Sequence, residues 1–403
     1  MRGDKALHVA MLCSYFNFKT GGLEKHVYYL TRGLIKHGIK VTLVTAYRDP
    51  YTNATIPPYK GDNLTIIPLR YCIAPLNNPL LYGLPRVLSK INPDVIHVHD
   101  HYFYGSMISS LLKRIIKKPL VLTIHTSKLH YDDFLKNTMV DLYDVLVGKT
   151  MFIIADKIIV LSRKTKHELL SLRIPKNKIE LIPNFLPEHL LEDYDAKIYN
   201  TVKEWGKFKV LFVGRLVPRK GPHILLSAFE TALRNGLLPK DSKLMIVGKG
   251  PLEEYLRKIV STNSELREKV IFWGAVRDDV LGALYRASDV VVLPSLSGEV
   301  APFVIQEAIA LEKPFIASIV GGIWDYITEK YWGFYIPPGD VIMLANSLGK
   351  LYALLTEKPG LVREMVRNNK EKLLNACSEP YIVLKTIGVY LDAIRNNIRS
   401  NKE

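Results

Sequence analysis

Short continuous apolar runs alternate along this chain with longer stretches in which apolar residues recur at helical spacing. A continuous run reads as a strand buried on both faces, as in parallel sheets. Its alternation with amphipathic helices reads as a doubly wound α/β architecture. The first half opens with a run at Leu7–Cys13. A helix follows with Leu23, Val27, Leu30, Leu34 and Ile35 on one stripe, closed by Gly38, and then a strand at Val41–Val44. Further strands are expected at 63–67, 94–98, 119–124, 157–161 and 179–182. Pro183–Pro187 breaks the pattern, and the acidic stretch Glu188–Thr201 reads as a linker. The alternation restarts with runs at 210–213, 244–247, 270–272, 290–293, 315–317 and 334–336. The expected organisation is therefore a first domain over 1–185, a linker over 186–201, a second domain over 202–378, and a helix in 379–403 long enough to cross back. Two such sheets imply a cleft between them, a favoured place for a ligand.

The loops at the strand ends carry the candidate chemistry, because ligands of open α/β sheets bind beyond the carboxyl ends of strands. Gly21-Gly22 stands between the first strand and its helix, where bare backbone can let a phosphate approach N–H groups; a tight turn explains the pair as well. The spacing is not G-x-G-x-x-G, so a dinucleotide fingerprint is absent. In the second half, Gly214-Arg215-Leu216-Val217-Pro218-Arg219-Lys220-Gly221 follows the strand at 210–213. Arg215 and Lys220 lie beside a helix start near Pro222, and two cations there suit a diphosphate. Solvated basic residues are the bland alternative. Val247–Pro251 and Phe272–Val276 are further strand-to-loop transitions, locally no more than turns. After the strand at 290–293, a polar turn carries Glu299, Pro302 suits a first helical position, and Phe303, Val304, Glu307, Ala308 and Leu311 repeat at helical spacing.

Histidines cluster in the first half. His97, His99 and His101 alternate on one strand face, which raises a zinc site; Asp100 directly follows His99 and no further ligand run is near, so none is expected. Asp193-Tyr194-Asp195 is a D-x-D in the proposed linker rather than at a strand end, and is discounted.

Composition narrows the class. The chain has 403 residues, 48% hydrophobic and 23% charged, enough for two domains with sizeable cores. No apolar run approaches the ~20 residues that span a bilayer. The N-terminal stretch lacks the apolar region of a signal peptide, and three distant cysteines give no disulfide framework, so a reducing cytoplasm is the expected setting. The net charge is +16; residues 1–185 hold 26 Lys and Arg against 13 Asp and Glu, or +13 of it. An anionic partner is implied: phosphates, a membrane surface or nucleic acid. Nucleic acid is not expected, since no interleaved aromatic and basic motif appears. The segment Met107–Lys118 joins apolar residues to a basic cluster and can lie on an anionic surface. It can equally pack on the core, with its last-turn lysines complementing the helix dipole.

The spacing Glu299-x7-Glu307, followed by Ala308-x-Ala310 and Pro314-x-x-Ala317-Ser318, resembles the donor site of retaining GT-B glycosyltransferases of the glycogen synthase and sucrose synthase type (family 4). The resemblance covers the whole chain, from Gly21-Gly22 to Gly321-Gly322 and Pro337–Asp340. It implies the GT-B fold, two Rossmann-like domains facing across a cleft, and transfer of a sugar from a UDP- or GDP-sugar to a hydroxyl, with the acceptor lipid-linked or another glycan. By the same resemblance Arg215 and Lys220 take the diphosphate charge, Glu299 meets the donor sugar and His125 lies near the reacting centre. Gly21, Gly22, Gly214, Gly250, Val276, Phe303, Val304 and Glu307 line the donor, with Glu307 on the ribose. Asp100 and Asn184 lie on the acceptor side. No metal and no cofactor is required. The opening through Thr45 also looks like the N-acetylglucosaminyltransferase that begins glycosylphosphatidylinositol synthesis, which pulls towards a lipid acceptor and an anionic membrane surface. Two departures stand out. Glu299-Val300-Ala301-Pro302 replaces E-[GP]-F-G, removing one N–H, and Phe185 replaces the glycine of an Asn-Gly pair, implying a bulkier cleft. The alternative is a non-catalytic nucleotide-sugar or glycan-binding protein of the same fold.

Overall fold

The structure, a computed structural model, describes residues 6–16, 21–48, 55–74, 78–126, 134–186 and 189–400. It forms two compact units: Met1–Phe185 with Cys377–Glu403, and Leu186–Ala376.

The first unit opens with β1 (His8–Leu12), α1 (Gly22–Lys36) and β2 (Lys40–Ala46), then β3 (Tyr59–Lys60) and β4 (Leu64–Leu69). A separate hairpin of β5 (Tyr71–Ala74) and β6 (Asn78–Leu81) precedes α2 (Leu84–Ile91), β7 (Val95–His99), α3 (Tyr104–Ile116) and β8 (Leu120–Ile124). Next, α4 (Phe134–Tyr143) runs through a π-helical turn at Asp144–Gly148 into α5 (Lys149–Ile154). β9 (Lys157–Val160), α6 (Arg163–Ser171) and β10 (Ile179–Leu181) complete the sheet, whose order is β10-β9-β8-β7-β1-β2-β4-β3. All its pairings are parallel except β3 with β4. β7 and β8 are buried throughout, and β1 from Val9 to Leu12, as their apolar runs require.

In the second unit the stretch read as a linker is largely helical. Of it, residues 187–188 lie outside the described residues, and α7 (His189–Glu192) and α8 (Ala196–Lys203) follow. The D-x-D is a capping device: Asp195 Oδ1 accepts the Ile198 N–H at 3.0 Å and starts α8. Then come β11 (Lys209–Val213), α9 (Pro222–Arg234), β12 (Lys243–Val247), α10 (Glu253–Thr262), β13 (Val270–Gly274), α11 (Asp278–Ala287) and β14 (Val290–Leu293). α12 (Phe303–Ala310), β15 (Phe315–Ser318), α13 (Ile323–Thr328), β16 (Phe334–Ile336), α14 (Val341–Glu357) and α15 (Pro359–Cys377) follow. The sheet is parallel, in the order β13-β12-β11-β14-β15-β16. Phe208, Phe212, Phe229, Leu244 and Val290 are at its core.

The last helix, α16 (Glu379–Ser400), belongs to the first unit and packs on α1, β7 and β8. Tyr390 is fully buried and its hydroxyl meets His97 Nδ1 at 2.7 Å, while Lys36 pairs with Glu379 at 2.6 Å.

Candidate functional site

The strand order of the second unit turns at β11: β12 and β13 lie to one side, β14 to β16 to the other. The loops after β11 and β14 therefore leave side by side from a topological switch point. Gly221, with φ +65°, is pressed against the second loop; a Cβ there would lie 2.0 Å from Pro294 O. The Leu296 N–H also bonds Arg219 O at 2.7 Å. This contact brings together the two motifs that sequence had read separately. Lys220 Nζ meets Glu299 Oε1 at 2.5 Å, and Ser295 Oγ donates to the same oxygen at 2.6 Å.

Opposite charges settle this buried pair. Burial by itself would raise Glu299, but the Lys220 charge and hydrogen bond, Ser295 and Arg219 outweigh it and hold the carboxyl below its usual range. Burial lowers Lys220; Glu299 opposes that shift, and the Arg219 and Arg215 charges add to it. Arg215 itself is exposed. Arg219 is a cation the sequence reading passed over. It lies against the polar turn, where a Cβ on Gly298 would meet its Nη1 at 2.8 Å.

The backbone under Glu299 is held equally closely. Its carbonyl accepts the Gly322 N–H at 2.7 Å, and a Cβ on Gly321, at φ +54°, would lie 1.7 Å from that oxygen. No other residue type fits there without moving the loop. Pro302 precedes α12 rather than starting it, because its ψ of 120° is extended. Phe303 and Val304 open the helix, and Glu307 is buried one turn in, its Oε2 accepting the Tyr285 hydroxyl at 2.6 Å. Gly214 and Gly250 face neighbouring backbone, Gly214 N–H bonding Val247 O at 3.0 Å and a Gly250 Cβ falling 2.5 Å from Leu216 O. Val276 is half-buried after β13.

The first unit presents a nest of histidines. His125 follows β8 and is half-buried; its Nε2 lies 3.0 Å from His99 Nδ1 at the end of β7. His26 of α1 stands edge-on to His125, ring centroids 4.8 Å apart, and its Nδ1 meets Asn184 Oδ1 at 2.9 Å. Burial holds His26 down at about 4, with Asn184 partly opposing, and drives His99 and His125 well below the usual range. These rings are neutral at physiological pH.

His97 and His99 lie together, ring centroids 4.2 Å apart, but His101 does not join them. Asp100 has φ +74°, which breaks the strand alternation and turns His101 away. His97 is occupied by Tyr390 and by Thr123 Oγ1, at 2.7 Å each. His101 lies 3.2 Å from Asp100 and 3.7 Å from Asp144. Burial would lower it, but these carboxylates outweigh that and hold it up at about 9. Asp100 also accepts from the Thr126 hydroxyl. Phe185, expected to add bulk to an open site, is buried at 1% exposure, with its ring 5.3 Å from His26 and 5.8 Å from Tyr29. Gly21 precedes α1, where a Cβ would lie 2.0 Å from Glu24 Oε2, and exposed Gly22 starts the helix. Residues 17–20 of that loop lie outside the described residues.

Residues 195–374 match the family described as glycosyl transferases group 1, and residues 20–189 match glycosyltransferase family 4. An uncharacterised glycosyltransferase of Methanocaldococcus jannaschii is 27% identical over 92% of this chain and 94% of its own length. A phosphatidyl-myo-inositol mannosyltransferase of Mycobacterium leprae is 29% identical over 85% and 86%. Among solved structures, sucrose-phosphate synthase from Thermosynechococcus elongatus superposes with a TM-score of 0.76 at 21% identity, covering 97% of this chain and 100% of that one. An Anabaena protein in complex with UDP and glucose gives 0.73 at 17%, covering 95% and 98%.

Proposed function

Because the chain belongs to the GT-B glycosyltransferases of the family 4 type, we propose that it transfers a sugar, with retention, from a nucleoside diphosphate sugar to a hydroxyl. The observation that carries this reading is the cationic loop at the switch point: Lys220 and Arg219 against a buried Glu299, with Arg215 acting on Lys220. As the bond from the anomeric carbon to the departing phosphate oxygen breaks, negative charge grows on the diphosphate. Arg215 and Lys220 stabilise it, an electrostatic contribution on the order of 10²-fold or more per group. The acceptor oxygen bonds the anomeric carbon on the same face, and its proton passes to the departing phosphate. Glu299, held by Lys220 and Ser295, is read as meeting the donor sugar, Glu307 as meeting the ribose, and His125 as a residue near the reacting centre. A panel of nucleotide sugars with released nucleoside diphosphate as the readout tests this. Turnover with one donor is expected, and binding without turnover of any donor would leave the non-catalytic reading.

A second observation bears on the acceptor. Along α4, the π turn and α5, Leu135, Met139, Leu142, Leu146 and Ile153 form an exposed stripe, with Leu135 72% and Leu142 59% exposed. Leu111 and Ile115 of α3 are exposed as well, whereas Lys113 is engaged by Asp156 at 2.7 Å. Apolar residues on a basic unit suit an anionic bilayer, and one relative is named for a lipid acceptor. The acceptor is therefore read as lipid-linked. Sedimentation with anionic vesicles at low salt is expected to carry the protein down, and Leu142→Glu with Leu146→Glu to release it. Unchanged sedimentation of that variant would remove the stripe from the reading.

A further inference from the structure

We propose that His26, His99 and His125 form a binding site for one divalent transition-metal ion of the zinc type. Three separate elements bring these rings together: α1, the end of β7 and the loop after β8. Each offers one ligand nitrogen, and all three nitrogens lie within 4.8 Å of one another. A tetrahedral zinc with bonds of about 2.0–2.1 Å needs its nitrogens about 3.3 Å apart. His99 Nδ1 and His125 Nε2 already stand at 3.0 Å. Closing the site is thus a small swing of His26, the third ring.

The surroundings favour coordination rather than mere packing. His26 Nδ1 is engaged by Asn184 Oδ1, so its Nε2 keeps the lone pair; an outer hydrogen bond of this kind orients metal-binding histidines. His99 is buried, and its Nδ1 faces His125 Nε2 at 3.0 Å, so a cation seated between them displaces a single hydrogen bond. The cation takes the place of the single proton shared by His99 Nδ1 and His125 Nε2, and that proton moves to the outer nitrogen of the ring that carried it, so each ring stays neutral with one proton. Binding therefore needs no imidazolium to be discharged at neutral pH. Three protein ligands with an open fourth position is the arrangement of an accessible zinc, and half-buried His125 marks the open side.

An ion here would occupy His125 and so suppress sugar transfer. That consequence rests on the proposed place of His125 near the reacting centre; the binding does not. The test is titration of the full, chelator-stripped chain with cobalt, followed by zinc. Expected are one cobalt per chain with the intense visible bands of tetrahedral geometry, displacement by zinc, and zinc inhibition of transfer. His26→Gln and His99→Gln should each weaken binding by more than ~10-fold, and Asn184→Ala by about 10-fold. His167→Gln, at an exposed histidine outside the nest, should leave it intact. Asn184→Ala keeps all three rings, so it answers even if a histidine variant fails to fold. A weak octahedral spectrum, or tetrahedral binding unaltered in folded His26→Gln or Asn184→Ala, would overturn the site. If cobalt binds but no donor is turned over, the metal site stands and the glycosyltransferase chemistry falls.

Discussion

Two buried clusters of titratable groups, one in each unit, solve the same problem in opposite ways. In the second unit, Lys220 and Glu299 stay charged because each answers the other, with Ser295 satisfying a further bond. In the first, His26, His99 and His125 stay neutral because burial disfavours the charged form, with Phe185 packed against His26, and among the described residues no carboxylate pairs with them. A charged pair is poised to meet a charged ligand. A neutral nest can offer lone pairs, or take up and give protons, without charge repulsion. The polarity of each cluster therefore follows from its walls rather than from its residue types, since His101, only two residues from His99, is held up at about 9 by Asp100 and Asp144.

The wall of the nest is the place to break the contrast hardest. Phe185→Ala removes a fully buried ring and is expected to cost about 3–5 kcal/mol in denaturant unfolding. It should also let water reach His26 and move its pKa up from about 4, as read by ring NMR shifts. On the other side, Lys220→Ala and Arg215→Ala should each lower turnover by at least ~10²-fold. Only Lys220→Ala should also destabilise the second unit, because it strands the Glu299 carboxylate. Wild-type turnover in folded Lys220→Ala would detach this pair from the chemistry.

Titration sharpens the same contrast. His101 is raised from 6.5 to about 9, so its contribution to stability is full below pH 6.5 and is lost as pH rises through about 9. His26 is lowered from 6.5 to about 4, so its contribution is present above pH 6.5 and is lost as pH falls through about 4. Hydrogen exchange of the first unit's strands should thus show greatest protection near neutral pH. His101→Gln should flatten the alkaline limb alone; an unchanged limb would mean that another group carries it. The smallest effect divides the two glutamates. Glu307→Gln should weaken nucleoside diphosphate binding on the order of tenfold in calorimetry, whereas Glu299→Gln should lower turnover with little change in that affinity.

What was legible in the sequence follows from range. Buried parallel strands are continuous apolar runs, so both main sheets could be read locally to within a residue or two. The hairpin of β5 and β6 and the two-residue β3 were not, since each is too short for a period and stands at or beyond the sheet edge. The helices over 189–203 were missed because their apolar residues are few; the Asp195 cap and packing on α11 supply what periodicity lacked. Arg215, Lys220, Glu299 and Glu307 lie in local motifs, but the Lys220–Glu299 contact joins positions 79 apart. The pairing of His26 with Asn184 spans 158 residues, and no spacing rule reaches that far. Arg219 was passed over because one more basic loop residue looks like any other until Gly298 is seen beneath it.

The bond between His97 and Tyr390 spans 293 residues. On a ribosome this sets an order of assembly. The whole second unit, Leu186–Ala376, must be made before α16 exists to cover β7, β8 and α1. At about 5–20 residues per second that is a wait of roughly 10–40 s. For that time the partners of Ile382, Val383 and Tyr390, all fully buried in the finished protein, face solvent or a chaperone. The first half of this chain is made first and finished last.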